Sequence, residues 1–172
     1  MHELVFDIET NAIEDWDELS DLRVIHCIAI QEPRSDQVDV YSDSYGEDKN
    51  LIHGLIRLGM ADRIIGHKID RFDIKKFYPS FSFANCHSID TLLASRIMSP
   101  DVVRTDCQDP EFPTKLRGRY SLEAWGHRLK FNKGDFGKQT DWSVFTPEMA
   151  DYCAQDVRLN SKLWLEIRKT LG

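Results

Sequence analysis

The order of strand-like and helix-like segments constrains the fold of this chain more than any other feature of its sequence. Three β-type runs come first, with connections short enough for neighbouring antiparallel strands, at Leu4–Glu9, Val24–Ile30 and Val38–Ser42. Two further strand-like runs, at Arg63–His67 and His87–Asp90, then alternate with helical patterns. This order predicts an α/β fold with a mixed five-stranded sheet flanked by helices.

Start and stop signals separate the helical patterns from the strands. The last helix has the strongest start, because Thr146 suits the N-cap, Pro147 the first helical position and Glu148 the positive end of the dipole. Residues 99–120 hold three prolines and predict a long irregular loop. The other predicted helices are Leu51–Leu58, Phe72–Phe77 ended by Pro79, Thr91–Ile97, and Leu122–Leu129 capped by Ser121.

Length and composition predict one globular domain, residues 1–172. No apolar run reaches the roughly 18 residues of a membrane span, and the first residues lack the pattern of a secretory signal. A cytoplasmic protein without a membrane partner is therefore expected. The four cysteines are scattered and form no C-x-x-C pair, which favours buried free thiols over a zinc site or disulfides.

Charge is spread unevenly along the chain. The net charge of −7 argues against a protein that coats duplex nucleic acid with its whole surface. Residues 1–50 carry 14 acidic and 3 basic side chains, whereas residues 115–138 carry 7 basic and 2 acidic ones. An acidic metal site with a basic strip for a phosphate backbone fits this asymmetry, and so does an ordinary solvated charged face for the strip alone.

Carboxylates recur in three distant segments. Asp7 and Glu9 are two apart on a predicted strand and share one face, as an exposed strand end also would. Tyr152 and Asp156 share a face of the last helix, where Asp156 interrupts an apolar pattern and is either solvated or compensated by a positive charge. Asp70 follows the fourth strand, and Asp73, three residues on, is its rival.

Hard oxygen ligands in this number are typical of a site for divalent cations. Mg²⁺ prefers carboxylate oxygens and water. Two such ions roughly 3.5–4 Å apart can clamp the attacking and leaving oxygens of an in-line phosphoryl displacement.

The acidic segments resemble the motifs of the DnaQ-like, or DEDD, 3′→5′ exonuclease superfamily. Asp7-Ile8-Glu9-Thr10 is similar to its first motif, the segment with Asp70 to its second, and Tyr152-Cys153-Ala154-Gln155-Asp156 to its third in the tyrosine (DEDDy) form. Further stretches, in order from residue 4 to about 165, resemble the proofreading exonuclease domain of T-odd phage family A DNA polymerases. They are Asp7–Ala12, Gly66–Asp70, Ile89–Leu92 and Leu122–Leu129.

The resemblance implies a ribonuclease H-like fold and two Mg²⁺ or Mn²⁺ ions. It implies metal binding by Asp7, Glu9, Asp70 and Asp156, and a Tyr152 that orients the attacking water. Candidate contacts to nucleic acid are Thr10, Asn11, His67, Lys68, Arg117 and Arg119.

The second motif departs from the family's pattern. Many relatives carry an aromatic residue directly before the acid, but Ile69 precedes Asp70. Phe72-Asp73 offers a competing match, whereas Gly66-His67-Lys68-Ile69-Asp70 favours Asp70.

The implied substrate is the 3′ end of single-stranded or frayed DNA, degraded to mononucleotides in phage replication, proofreading or DNA degradation. RNA trimming and a catalytically inactive nucleic-acid-binding module are the alternatives. Polymerase motifs are missing from the 172 residues, so either a stand-alone exonuclease, working with a separately encoded DNA polymerase, or an excised domain is expected. A phage-encoded chain would act in the host cytoplasm.

Overall fold

The sheet has five strands in the spatial order β3-β2-β1-β4-β5. The computed structural model describes residues 1–11, 25–70, 73–77, 83, 86–131 and 141–171. β1 pairs antiparallel with β2, and β2 with β3, while β1, β4 and β5 run parallel. The strands are β1 Glu3–Thr10, β2 Ile25–Gln31, β3 Val38–Tyr41, β4 Arg63–Gly66 and β5 His87–Asp90. The mixed five-stranded sheet is confirmed; Val24 lies outside the described residues.

Six α-helices accompany the sheet in the described part of the chain. Short 3₁₀ turns stand at Asp43–Tyr45, Glu47–Lys49 and Thr114–Leu116. The helices are α1 Leu51–Gly59, α2 Asp73–Phe77, α3 Thr91–Met98, α4 Val102–Gln108, α5 Leu122–Arg128 and α6 Pro147–Leu171. The predicted cap of α6 is confirmed, since the Thr146 hydroxyl accepts the Met149 N–H at 3.3 Å. Phe72 and Pro79, at the predicted ends of α2, lie outside the described residues.

The prediction of an irregular loop over residues 99–120 is wrong, because α4 and a 3₁₀ turn form there. The cause is a tertiary contact. Asp106 of α4 is 1% exposed and accepts two hydrogen bonds from the guanidinium of Arg128, at 2.9 and 2.8 Å. It also accepts the Gly118 N–H at 2.8 Å. Because Asp106 and Arg128 are 22 residues apart, their contact produces no local periodicity from which the helix could be predicted.

The two faces of β1 serve two apolar cores. Leu4, Phe6 and Ile8 pack in one core, with Leu55 and Leu58 of α1. Val5 packs on the other side, where α6 crosses β1 and β2 with side chains that include Cys153, Val157, Leu163 and Trp164. The predicted alternation along β1 is therefore confirmed. Asp7 and Glu9 lie on the α6 side, at the carboxyl end of the strand.

Close backbone contact requires glycine where β4 ends. A Cβ on Gly66 would lie 3.2 Å from the Phe6 carbonyl oxygen and overlap the Ile69 side chain at 1.9 Å. The strand can therefore end against β1 and turn at once toward α2.

The opposite end of β1 is joined to the end of α6. Glu3 accepts hydrogen bonds from Arg63 at 2.7 Å and Arg168 at 2.8 Å, and from the Trp164 indole at 3.3 Å.

No helix in the described part of the chain is both long and apolar enough to cross a bilayer.

Candidate active site

Two acids of β1 and one thiol of α6 form a compact group. Asp7 lies opposite Ala29 of β2 and Glu9 opposite Cys27, and the register shifts after Glu9. One ligand atom from each of Asp7, Glu9 and Cys153 lies within 4.8 Å of the others. The Cys153 thiol donates to the Asp7 carbonyl oxygen at 3.4 Å. This group is small enough for one divalent cation to contact both carboxylates.

Cys153 contributes packing to this group rather than charge. Burial raises its pKa well above the usual value, and the neighbouring Cys27 thiol and the charges of Asp7 and Glu9 raise it further. The thiol therefore stays protonated at neutral pH. All four cysteines are free, as predicted, but only Cys27 and Cys153 are buried, whereas Cys86 is half-buried and Cys107 exposed.

The third-motif residues lie on the same helix as Cys153. Asp156 is one turn further along α6 and 5% exposed, while Tyr152 directly precedes the thiol and is half-buried. The Tyr152 ring meets the Trp142 ring edge-to-face, with centroids 6.2 Å apart. His26 of β2 holds Trp142 in turn, since His26 Nε2 donates to the Trp142 carbonyl at 2.8 Å.

A second pair of aromatic rings includes Phe145, which directly precedes the N-cap of α6. Tyr45 and Phe145 meet edge-to-face at 5.6 Å, and Tyr45 is 45% exposed. Burial raises the pKa of Tyr45, with smaller contributions from Cys27 and from the charge of Asp151, the neighbour of Tyr152 in sequence. We call these four rings, Tyr45, Trp142, Phe145 and Tyr152, the aromatic wall. Sequence reasoning singled out only Tyr152, because the other three lie in short turns and irregular segments that have no helical or strand period.

The two second-motif acids occupy different environments. Asp70 is exposed and accepts the Ser88 hydroxyl at 3.2 Å, beside the edge strand β5. Asp73 begins α2 and is 3% exposed, and it accepts the backbone N–H of Ile8, which stands between Asp7 and Glu9. Asp73 thus lies against the β1 backbone between Asp7 and Glu9, whereas Asp70 lies beside β5, and the second-motif ligand stays a prediction.

Burial dominates the ionisation of Asp73. Loss of solvent, with a smaller contribution from the charge of Asp90, raises its pKa to about 7. Hydrogen bonds from the backbone N–H groups of Ile8 and Asp73 itself, and the charge of Lys68, oppose this rise. A buried carboxyl group of this kind is stabilised when a cation binds beside it.

A buried polar network fixes the turn between β4 and α2. The Thr91 hydroxyl donates to Asn160 Oδ1 of α6 at 2.6 Å and accepts from His67 Nδ1 at 3.0 Å. Asp90 caps α3 and accepts the N–H of Lys68 at 2.9 Å, where the backbone has a positive φ of 70°. Asn160 lies 69 residues from Thr91, so no local pattern predicts this contact.

The predicted nucleic-acid contacts divide into two groups. His67 and Lys68 directly follow β4. Thr10 is the last residue of β1, and Asn11 is the next residue. All four therefore lie at the acidic end of the sheet. Thr10 is buried and Asn11 exposed. Arg117 and Arg119 stand instead beside the Asp106–Arg128 pair.

The predicted basic strip largely contacts itself. Arg128 is committed to Asp106, Lys115 pairs with Glu123 at 3.2 Å, and the Arg119 side chain donates to the Lys115 carbonyl. Residues 132–138 of the strip lie outside the described residues.

The sequence is similar to two phage DNA polymerases. It is 28% identical to the DNA-directed DNA polymerase of Escherichia phage T7 over 185 aligned residues, which cover 93% of this chain and 26% of the polymerase. The polymerase of Enterobacteria phage T3 is 26% identical, with the same coverage. The chain thus spans about a quarter of the length of these relatives. No family model matches it.

Solved nucleases share the fold. Brucella melitensis NrnC with bound Mg²⁺ aligns with a TM-score of 0.57 and 18% identity, over 99% of this chain and 74% of NrnC. The catalytic core of RRP6 from Trypanosoma brucei gives 0.60 and 16%, over 99% and 41%. Exonuclease X in complex with 5′ overhanging duplex DNA gives 0.56 and 14%, over 98% and 92%. These findings support the resemblance to DnaQ-like exonucleases and confirm the ribonuclease H-like fold.

Proposed function

We propose that this chain is a metal-dependent 3′→5′ exonuclease that removes nucleotides from the 3′ end of single-stranded or frayed DNA. The observation that carries the proposal is the convergence of acids from separate elements on the carboxyl end of β1. Asp7 and Glu9 share a face, Asp73 contacts the backbone between them, and Asp156 is buried on the helix that packs against them. The similarity to phage DNA polymerases favours DNA as the substrate.

The donor set fits divalent metal ions. Carboxylates are the ligands of Mg²⁺ and Mn²⁺, and half-buried acids as close as Asp7 and Glu9 would repel one another without cations. We assign two ions to Asp7, Glu9, Asp156 and one acid of the second motif. When bound, they lower the pKa of water and stabilise charge on the phosphodiester.

Asp73 is our choice for the second-motif ligand, in preference to Asp70. It follows the aromatic residue Phe72, as the acid follows an aromatic residue in many relatives, and its carboxyl group lies against the Ile8 backbone. Asp70 is exposed and engaged by Ser88. The alternative assignment, to Asp70, is tested below.

Protein groups around the acids would position the substrate. The Tyr152 hydroxyl orients the attacking water, and the ring contact with Trp142 fixes the phenol. A phenol with an ordinary pKa near 10 is a poor base at neutral pH, so orientation is its role rather than proton transfer. The aromatic wall offers ring faces to unstacked bases, which suits a single strand better than a duplex. Asn11, His67 and Lys68 are placed for contacts to phosphate.

Digestion of end-labelled strands tests the proposal. With Mg²⁺, a 5′-labelled DNA strand should give a ladder of shortening labelled products and unlabelled mononucleotides, and EDTA should stop the reaction. A 3′-phosphate should slow it. A labelled mononucleotide as the first product would refute the polarity, and full activity in excess chelator would refute the metal requirement.

Two parallel substrates decide between the alternatives. An RNA strand of the same sequence reports whether the 2′-hydroxyl is accepted, and preferential digestion of RNA would support trimming of RNA instead. Binding without cleavage of either strand would support an inactive binding module. A separately encoded DNA polymerase remains the proposed partner of an active enzyme.

A further inference from the structure

A second basic surface lies at the end of the sheet opposite the acids. It consists of two adjoining cavities, of about 690 and 420 Å³, which share Arg34, Lys162 and Leu165. Among their described lining residues the carboxylates are Asp36 and Glu166. We call this the back surface; its cations are Arg34, Arg63, Arg158, Lys162, Arg168 and Lys169. It gathers 6 of the 22 lysines and arginines of a chain with a net charge of −7.

The turn after β2 and the outer side of α6 bring these cations together. The Ser161 hydroxyl of α6 donates to the Pro33 carbonyl at 3.0 Å, which brings the turn with Arg34 against the helix. Arg158, Lys162 and Lys169 follow helical spacing and share the outer side of α6. They span 11 residues, or about 16 Å of helix at 1.5 Å per residue.

Three cations of the back surface have no carboxylate partner among the residues that the structure describes. Arg63 and Arg168 share Glu3, and Lys169 pairs with Glu166 at 2.6 Å. Arg34, Arg158 and Lys162 make no ion pair or hydrogen bond within the described residues, although the Lys162 ammonium lies 5.1 Å from the centroid of the Phe131 ring. Neighbouring cations that have no ion pair within the described residues favour an anionic ligand.

We propose that the back surface binds the phosphate backbone of a nucleic-acid strand upstream of the end held at the acids. An extended row of cations beside a half-exposed aromatic ring suits a strand, because phosphates and base faces alternate along it. That the strand's 3′ end lies at the acids rests on the proposed function; binding at the back surface does not.

The distance along the molecule sets the length of ligand required. Glu3, which pairs with Arg63 and Arg168, marks the far end of the back surface, and Glu9 marks the acids. The two lie six residues apart on β1, which is about 20 Å at 3.3 Å per residue. A dinucleotide bound at the acids cannot cover this distance, whereas a strand of about 20 nucleotides can. A dinucleotide therefore reports on the acids alone, whereas a long strand reports on both the acids and the back surface.

A matched pair of double variants tests the proposal. Arg158→Gln with Lys162→Gln removes two cations of the back surface. Arg96→Gln with Arg104→Gln removes two exposed arginines elsewhere, on α3 and α4, neither of which has an ion pair within the described residues. Fluorescence anisotropy would measure binding of a labelled DNA strand of about 20 nucleotides, in calcium and in EDTA, between 50 and 200 mM salt. Thermal melts would confirm that both proteins fold.

The back-surface variant should bind the strand about 5- to 10-fold more weakly at low salt. Its slope of log affinity against log salt should become shallower by about 1.4, since each lost contact to a single strand accounts for about 0.7. The control should stay within about twofold, and hydrolysis of a dinucleotide should be unchanged in both. Arg34→Gln alone should lower the slope by about 0.7, and it serves as the second variant if the first does not fold.

Equal loss of binding in the two double variants would overturn the proposal, because it would reflect net charge alone. Unchanged binding would overturn it too, and would assign the surface to another anionic partner, such as an acidic protein. If no protein hydrolyses DNA, the proposed function fails, while anisotropy still decides whether the back surface binds it.

Discussion

At the scale of single residues, Asp70 and Asp73 are three positions apart but differ in burial and in neighbours. Asp73→Asn removes a charge that we assign to the metal ligands, so exonuclease activity should fall by orders of magnitude. The protein should melt no lower, because an uncharged side chain replaces a buried carboxyl group. Asp70→Asn should leave the rate within a few-fold. Initial rates in Mg²⁺ and melting curves of both variants check this, and the reverse pattern of rates would restore Asp70 as the ligand.

Tyr152 tests positioning separately from metal binding. Tyr152→Phe keeps the ring against Trp142 and removes the hydroxyl, so turnover should fall by roughly ten- to a thousandfold. Affinity for DNA in calcium should barely change, because the hydrogen bond matters mainly in the transition state. The loss should be smaller than for Asp7→Ala. Single-turnover rates and anisotropy separate these effects, and a wild-type rate would reduce Tyr152 to a packing residue.

How far the sequence predicted the site also depends on individual residues. Strand alternation predicted that Asp7 and Glu9 share a face, and helical spacing predicted the same for Tyr152 and Asp156, because such periods are local. Their roles at a metal site came from the resemblance instead. The choice between Asp70 and Asp73 was not decided locally, since a short motif match competed with an aromatic-acid pair. Burial of Asp73 against Ile8 depends on how β4 meets β1, and this information lies in the tertiary structure.

At the scale of secondary structure elements, α4 depends on one buried ion pair. Burial alone would raise the pKa of Asp106, but hydrogen bonds from Arg128 and from the Gly118 N–H, with the positive charges of Arg128 and Arg117, lower it below its usual value. Asp106→Ala leaves the Arg128 guanidinium without its carboxylate partner and should cost roughly 3–5 kcal/mol of unfolding free energy. Chemical denaturation measures this cost. Asp101→Ala, at the exposed start of α4, is the control and should cost little.

The same pair gives a pH dependence of known sign. Because the pKa of Asp106 is lower in the folded protein, its contribution is fully present above the unfolded pKa. It is lost as the pH falls through the lower, folded pKa. The difference in unfolding free energy between the parent and Asp106→Ala should therefore be constant near neutral pH and shrink in acid. A difference that grows on acidification would contradict this assignment.

The helices show why sequence prediction succeeded in some elements and failed in others. α6 begins with an N-cap, a proline and an acid that suits the positive end of the helix dipole. Both the helix and its first residue were therefore predicted. α4 has no side-chain hydrogen bond at its N-cap Asp101, and its stability comes from Arg128. Local rules find helices of the first kind and miss the second.

At the scale of the whole molecule, metal binding should stabilise the fold. Ligands that bind only the native state raise its stability with concentration, so Mn²⁺ or Mg²⁺ at about 100 times its Kd should raise the Tm by roughly 5–10 °C. Asp7→Asn should abolish most of this rise. Asp48→Asn, on an exposed 3₁₀ turn, should retain it. Scanning calorimetry with and without EDTA measures the shift, and an equal rise in the Asp7 variant would place the ions elsewhere.

The contact between Glu3 and Arg168 makes neighbours of residues close to either end of the chain. A short glycine-serine linker could therefore close the backbone, and new termini could be opened at the exposed Pro100–Asp101 peptide between α3 and α4. Such a circular permutant should fold and keep its acids in register, since every strand pairing is preserved. Because the two ends are adjacent, this chain and another domain could also be joined by two connecting segments that leave the molecule side by side.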